Sequence, residues 1–184
     1  MRVSKENSVE VEFPAGIEFI YKGGLLTVKG PKGETSRKFA DPLLTIKAED
    51  KRIVIGTKRL TKGQKTKMGT IIAHMKNMIK GVTEGIVYKL KICSAHFPMS
   101  VQLKGQDFVV NNFIGEKFPR SVKMKYSDTK VEIAGDIVTV TGVCKEHVSQ
   151  TAATIESLMR RPEYDKRIFQ DGIYITDKDG KHEK

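Results

Sequence analysis

The chain has 184 residues, 39% of them hydrophobic and 30% charged, and Lys plus Arg (33) outnumber Asp plus Glu (22) to give a formal net charge of +11. Two cysteines are too few for a disulfide-stapled secreted fold, and neither the charged first eleven residues nor any apolar run has the form of a signal peptide or a membrane span. With a pI near 9.6, the balance points to a polyanionic partner, nucleic acid first.

In chain order, Val9, Val11 and Phe13 alternate with Glu10 and Glu12, the period of a half-buried strand. Pro14-Ala15-Gly16 breaks it. Residues 17–21 form a second extended run, turned by Gly23-Gly24. Residues 25–29 and 34–39 flank Gly30-Pro31-Lys32-Gly33 as a hairpin. Residues 44–48 and 52–55 form another pair around Asp50-Lys51. The period then changes. Met68, Ile71, Ile72, Met75 and Ile79 lie on one helical stripe opposite Lys67, His74, Asn77 and Lys80. This predicts a core-packed helix of three to five turns, capped by Gly81, with Lys76 and Lys80 at the negative end of its dipole. Strand patterns resume at 86–93, 101–103, 108–110, 122–126, 131–133 and 137–141. Val148, Ala152, Ile155, Leu158 and Met159 make a second helical stripe, ended by Pro162. The polar segment 177–184 reads as a mobile tail.

The order is strands then helix, twice. Gly33-Glu34 and Gly115-Glu116, then Ile71-Ile72-x-x-Met75 and Thr154-Ile155-x-x-Leu158, recur about 82 residues apart, and Pro42 and Pro119 pair with a gap. The predicted fold class is α+β: two tandem copies of a small antiparallel sheet covered by one helix, at 1–82 and 83–176, with the tail at 177–184.

No catalytic or metal constellation emerges. Cys93-x-x-His96 and Cys144-x-x-His147 could supply Cys₂His₂ ligands, but one pair continues a strand and the other opens a helix, so buried thiols and surface histidines are the better reading. No phosphate-binding loop, nucleophile elbow or compact acidic pair is present. No enzyme activity, cofactor or small-molecule substrate is expected.

Three basic clusters remain. Residues 58–67 carry Lys58, Arg59, Lys62 and Lys65 into the first helix, within a stretch from Lys51 to Thr83 that has nine cations and no acidic residue. Cations, threonines and a helix N-terminus suit phosphate. Residues 111–120 combine Asn111, Asn112, Lys117 and Arg120 with Phe113 and Phe118; one ring at least is expected to face the core. Residues 160–169 interleave Arg160, Arg161, Lys166 and Arg167 with Tyr164 and Phe169, a mixture that pairs with phosphates and stacks on bases. These side chains are the expected RNA contacts, with Asn111 and Asn112 reading a base edge or a sugar hydroxyl. A basic protein–protein scaffold is the runner-up.

Four motifs carry a family resemblance: Thr27-Val-Lys-Gly-Pro-Lys-Gly-Glu34, Met75-Lys-Asn-Met-Ile-Lys-Gly-Val-Thr-Glu-Gly85 followed by Tyr88-Lys-Leu, Asn112-Phe-Ile-Gly-Glu-Lys117 and Phe169-Gln-Asp-Gly-Ile-Tyr174. In this order they resemble the L-six family of large-subunit ribosomal proteins, in its archaeal and eukaryotic branch rather than the bacterial one. The resemblance spans nearly the whole chain. It implies a duplicated α+β fold and a structural, cytoplasmic ribosomal role. It also implies binding to large-subunit ribosomal RNA close to the loop engaged by translation-factor GTPases. In that family the second copy makes the main RNA contact and the first faces neighbouring ribosomal components. The resemblance therefore favours 112–120 and 160–167, whereas charge density alone favours 58–67.

Overall fold

A computed structural model describes residues 3–4, 8–49, 51–57, 61–162, 164–165 and 167–182. The chain forms two units, residues 1–85 and 86–184.

In the first unit the elements are β1 (Val3–Ser4), β2 (Ser8–Glu12), β3 (Glu18–Lys22), β4 (Leu25–Gly30), β5 (Gly33–Lys38), β6 (Leu44–Glu49), β7 (Arg52–Thr57) and α1 (Lys62–Thr83). They build two antiparallel sheets, ordered β1-β2-β7-β6 and β3-β4-β5. Lys22 faces Leu25 across Gly23-Gly24, whose φ values of 57° and 82° give the left-handed two-residue turn that matches strand twist. Leu26, Val28, Ile53 and Ile55 are fully buried, as the alternation requires.

The helix is longer than its stripe suggests, at 22 residues. Thr61 caps it, its hydroxyl accepting from the Gln64 amide while the Gln64 side chain accepts from the Thr61 amide. Met68, Ile72, Met75, Met78 and Val82 are buried. Gly81 is not the cap. It lies inside the helix on the buried face, and Glu84 is the C-cap. The left-handed residue is Gly85, at φ 82°, and the Glu84 and Gly85 amides both donate to the Lys80 carbonyl.

The second unit comprises β8 (Ile86–Cys93), β9 (Ser100–Lys104), β10 (Asp107–Asn111), a 3₁₀ turn (Phe113–Gly115), β11 (Arg120–Lys123), β12 (Lys130–Ala134), β13 (Ile137–Gly142), α2 (Lys145–Leu158), β14 (Gly172–Lys178) and β15 (Lys181–His182). Its antiparallel sheets run β12-β13-β8-β14-β15 and β11-β10-β9. Strict alternation along β8 buries Ile86, Tyr88, Leu90 and Ile92 against Val148, Ala152 and Ile155 of α2.

The duplication is topological. A strand, a three-stranded meander, a hairpin and a helix follow in each unit, as β2, β3-β4-β5, β6-β7, α1 and then β8, β9-β10-β11, β12-β13, α2. Each copy is the α+β unit expected, small antiparallel β-structure with one helix, its strands divided between two sheets. The Gly33 and Gly115 turns do occupy the same place, between the second and third meander strands. Pro42 and Pro119 do not correspond, since Pro42 follows the meander whereas Pro119 precedes its last strand. The segment expected to be a tail is paired: Asp177 and Lys178 belong to β14, facing Lys89 and Tyr88, and β15 folds back on them. Two extended strands can satisfy backbone groups without apolar side chains, which is why hydropathy missed them.

Candidate nucleic-acid interface

Three loops of the second unit converge: residues 94–99 after β8, residues 112–119 between β10 and β11, and residues 159–171 between α2 and β14. The middle loop is tightly wound. Asn112, Ile114 and Gly115 all have left-handed backbone, with φ of 58°, 47° and 73°. For the β-branched Ile114 this conformation is strained by about 1–3 kcal/mol. The Asn112 amide donates to the Pro98 carbonyl (2.9 Å), and the Asn111 amide to Ser100 Oγ (3.2 Å). Asn112 thus ties the middle loop to the first, while the Asn111 bond joins the ends of the paired strands β10 and β9.

Arg120 is the centre of the arrangement. Its Nε and Nη2 form a fork on the Glu116 carboxylate at 2.7 Å each. Its Nη1 donates to the carbonyls of Leu158 (2.8 Å) and Arg160 (3.2 Å). The guanidinium lies 4.4 Å from the centre of the buried Phe113 ring. The Leu158 carbonyl is one of the orphan acceptors in the last turn of α2, and the Arg160 carbonyl follows just beyond its C-cap, Met159. Arg120 therefore terminates the helix, whereas Pro162 lies beyond the point where it has ended. With its side chain 21% exposed and its donors committed internally, Arg120 holds the loops instead of facing outward.

Glu116 also pairs with Arg161 Nη1 at 3.5 Å. The Arg120 hydrogen bonds, helped by both guanidinium charges and opposed by burial, hold the Glu116 carboxyl below its usual range. One carboxylate faces two guanidiniums, so the junction stays positive. Arg161 stacks 4.1 Å from the Tyr164 ring, Tyr164 meets Phe169 edge-on at 4.7 Å, and Phe169 packs on His96 at 5.0 Å.

A buried acid closes the surface. The Asp171 side chain is 1% exposed and accepts from the amides of Ala95 (2.6 Å) and His96 (3.0 Å), with the His96 ring at 2.5 Å. Burial pushes its carboxyl up, but the His96 amide and ring and the Ala95 amide together bring it below the usual carboxylate value.

On this frame Lys117 and Arg160 are exposed and form no side-chain ion pair among the described residues. Arg167 is exposed (91%) and forks onto Asp165 at 2.9 and 3.2 Å. Of the two phenylalanines, Phe113 faces the core and Phe118 stands 83% exposed between Lys117 and Pro119. Lys166 lies outside the described residues, as do Lys58 and Arg59. Lys62 and Lys65 belong to the other unit, exposed on the first turn of α1, where no acidic residue offsets them. Within the second unit, the second and third sequence clusters form one surface.

The residues missed by sequence reasoning are Glu116, whose spacing of four from Arg120 was a signal, and the pair His96–Asp171, which 75 residues separate. His147 pairs with Asp128 at 2.7 Å and stacks on Tyr126, so each histidine of the Cys-x-x-His motifs has an acidic partner. Cys93 and Cys144 are part-buried free thiols. Among the described residues no group of three His, Cys, Asp or Glu could hold a metal, and no helix is long and apolar enough to cross a membrane.

Comparison with known proteins agrees with the sequence motifs. The model of the family described as Ribosomal protein L6 matches residues 13–85 and 97–172, one stretch in each unit. Three proteins called "Large ribosomal subunit protein uL6" are similar along nearly all of the chain. That of Methanobrevibacter smithii is 45% identical, covering 92% of this chain and 95% of its own. That of Methanosarcina mazei is 42% identical, covering 95% and 98%. That of Methanococcus vannielii is 43% identical, covering 94% of each. With both units matched in order and archaeal relatives aligned nearly end to end, the chain belongs to the ribosomal protein L6 family, in its archaeal-type branch.

Proposed function

We propose that the three loops of the second unit dock the chain on large-subunit ribosomal RNA, near the region engaged by translation-factor GTPases, while the first unit meets neighbouring ribosomal proteins. Family membership makes the chain a structural constituent of the large ribosomal subunit in the cytoplasm and not an enzyme. The docking surface is the further step. The observation that carries it is the division of labour among the arginines and lysines. Arg120, Glu116 and Arg161 consume one another and the end of α2, and so fix the loops. Lys117 and Arg160, with Lys166 nearby in sequence, are left to neutralise phosphates, and Arg167, although forked onto Asp165, is exposed enough to exchange that pair for a phosphate. Phe118 offers an exposed ring to an unpaired base. A rigid frame keeps the ordering cost of these long side chains low at the moment of binding. The placement near the GTPase-binding region rests on the family resemblance alone.

The test is a salt titration of binding to large-subunit RNA. Each phosphate contact contributes roughly 0.7–0.9 to the slope of log K against log salt. Arg160→Ala with Arg167→Ala is expected to lower affinity and to flatten the slope by about 1.4 to 1.8. An unchanged slope removes this loop from the interface. A slope change produced instead by Lys62→Ala with Lys65→Ala moves the interface to the first unit.

A further inference from the structure

Between the exit of α2 and β14 lies a cavity of about 220 Å³. This is below the roughly 300–1,000 Å³ of drug-sized ligand pockets and suits a single flat ring system. Arg160 and Arg161 stand at it, and the Tyr164 and Phe169 rings, set edge to face, contribute aromatic wall. Two further groups give it polarity of a particular kind. Glu156 takes the Ile175 amide on Oε1 at 3.3 Å, and its other oxygen has no donor among the described residues. Tyr174 lines the same cavity. Burial, with the nearby carboxylates of Asp171 and Glu156 adding to it, pushes the Tyr174 hydroxyl up, and like any tyrosine it is a neutral O–H donor at physiological pH.

An aromatic slot with a carboxylate acceptor, a hydroxyl donor and cations at the same opening is not required by the fold. Packing alone would fill it with apolar side chains. Of the nucleobases, guanine offers adjacent ring N–H and exocyclic amine donors together with a carbonyl acceptor; uracil lacks the amine. We propose that this cavity holds one extruded guanine of the RNA, its Watson–Crick donors on Glu156, its carbonyl edge toward Tyr174 and its phosphate on Arg160. The assignment rests on the RNA-docking reading above. It adds base selectivity to a surface otherwise built on phosphate neutralisation. Extruding one base costs a few kcal/mol, least where the RNA is already single-stranded.

The experiment uses the full chain, labelled for ¹H–¹⁵N NMR and titrated with guanosine 5′-monophosphate and, separately, uridine 5′-monophosphate. The guanine nucleotide is expected to shift the amides of Phe169, Ile173 and Ile175 and to bind about tenfold more tightly than the uracil nucleotide. Glu156→Gln keeps an acceptor for Ile175 but turns a donor toward the base, and should erase that difference. Tyr174→Phe, a milder change, should reduce it. Equal affinities with shifts confined to Arg160 and Arg161 mean phosphate binding only and overturn the proposal, as does guanine preference that survives both substitutions. If selectivity fails while Arg160→Ala with Arg167→Ala still flattens the salt slope of binding to large-subunit RNA, only the cavity assignment falls. If the guanine nucleotide binds as described and the chain ignores that RNA, the docking reading falls, and the assignment to an RNA base with it.

Discussion

Replacing Arg120 by alanine separates a framework residue from an RNA contact. The side chain makes two charge-assisted bonds to Glu116 and two bonds to the carbonyls of Leu158 and Arg160, and it covers the Phe113 ring. Hydrogen bonds to charged groups contribute about 1.5–3 kcal/mol each when partly buried, and their sum within one network is well below additive. Because the site keeps some solvent access, a loss of about 3 kcal/mol is expected for Arg120→Ala. Arg120→Lys keeps the charge but not the fork, and should lose about half of that. With a urea dependence of roughly 1–3 kcal/mol per molar, the midpoint of the second unit should fall by about 1–3 M in the alanine variant. Four of the five tyrosines belong to that unit, so their near-ultraviolet signal reports its unfolding selectively. A variant that unfolds at the wild-type midpoint yet binds RNA poorly would refute the reasoning. The guanidinium would then be a contact, and the loops would owe their shape to something else.

Other substitutions probe different parts of the same scheme. Phe118→Ala should leave the urea midpoint unchanged, because the ring is exposed, and should weaken RNA binding by about 1–3 kcal/mol in a direct titration. Asp171→Asn should destabilise by about 2 kcal/mol at neutral pH. The folded carboxyl lies below its ordinary value, so its contribution is complete above about pH 4 and is lost as pH falls through the folded value. The gap between wild type and Asp171→Asn should therefore close in acid; a gap constant down to pH 2 contradicts the role given to the ionised group. In the first unit, a Cβ on Gly30 would lie 2.8 Å from the Val82 carbonyl oxygen and 2.9 Å from Val82 Cβ. Gly30→Ala should cost about 1–3 kcal/mol by lifting the β4–β5 turn off α1, measurable as a lower thermal midpoint.

Periodicity made most of the architecture legible. Alternation located β2, β8 and the hairpins, because each strand buries one face only. The change from period two to period 3.6 located both helices. The reading failed where side-chain hydropathy carries no information. Gly81 looked like a cap because glycine commonly follows helices, yet it lies on the buried face and Gly85 takes the left-handed position. Residues 177–178 and 181–182 are polar and still form strands, the first pairing with β8 and the second folding back on the first. The site was half visible. Composition marked residues 111–120 and 160–169, but not that they touch, since Arg120 and Leu158 are brought together only by the fold. Nor could charge counting show that Arg120 is consumed internally while Arg160, similarly placed in a basic cluster, is not.

The most direct measurement is residue-level crosslinking in purified large ribosomal subunits. Crosslinks from Lys117, Phe118, Arg160 and Arg167 to large-subunit RNA, with residues 61–67 crosslinked to protein, are the expected outcome. RNA crosslinks confined to residues 61–67, with the second-unit loops silent or bound to protein, would contradict docking through the second unit.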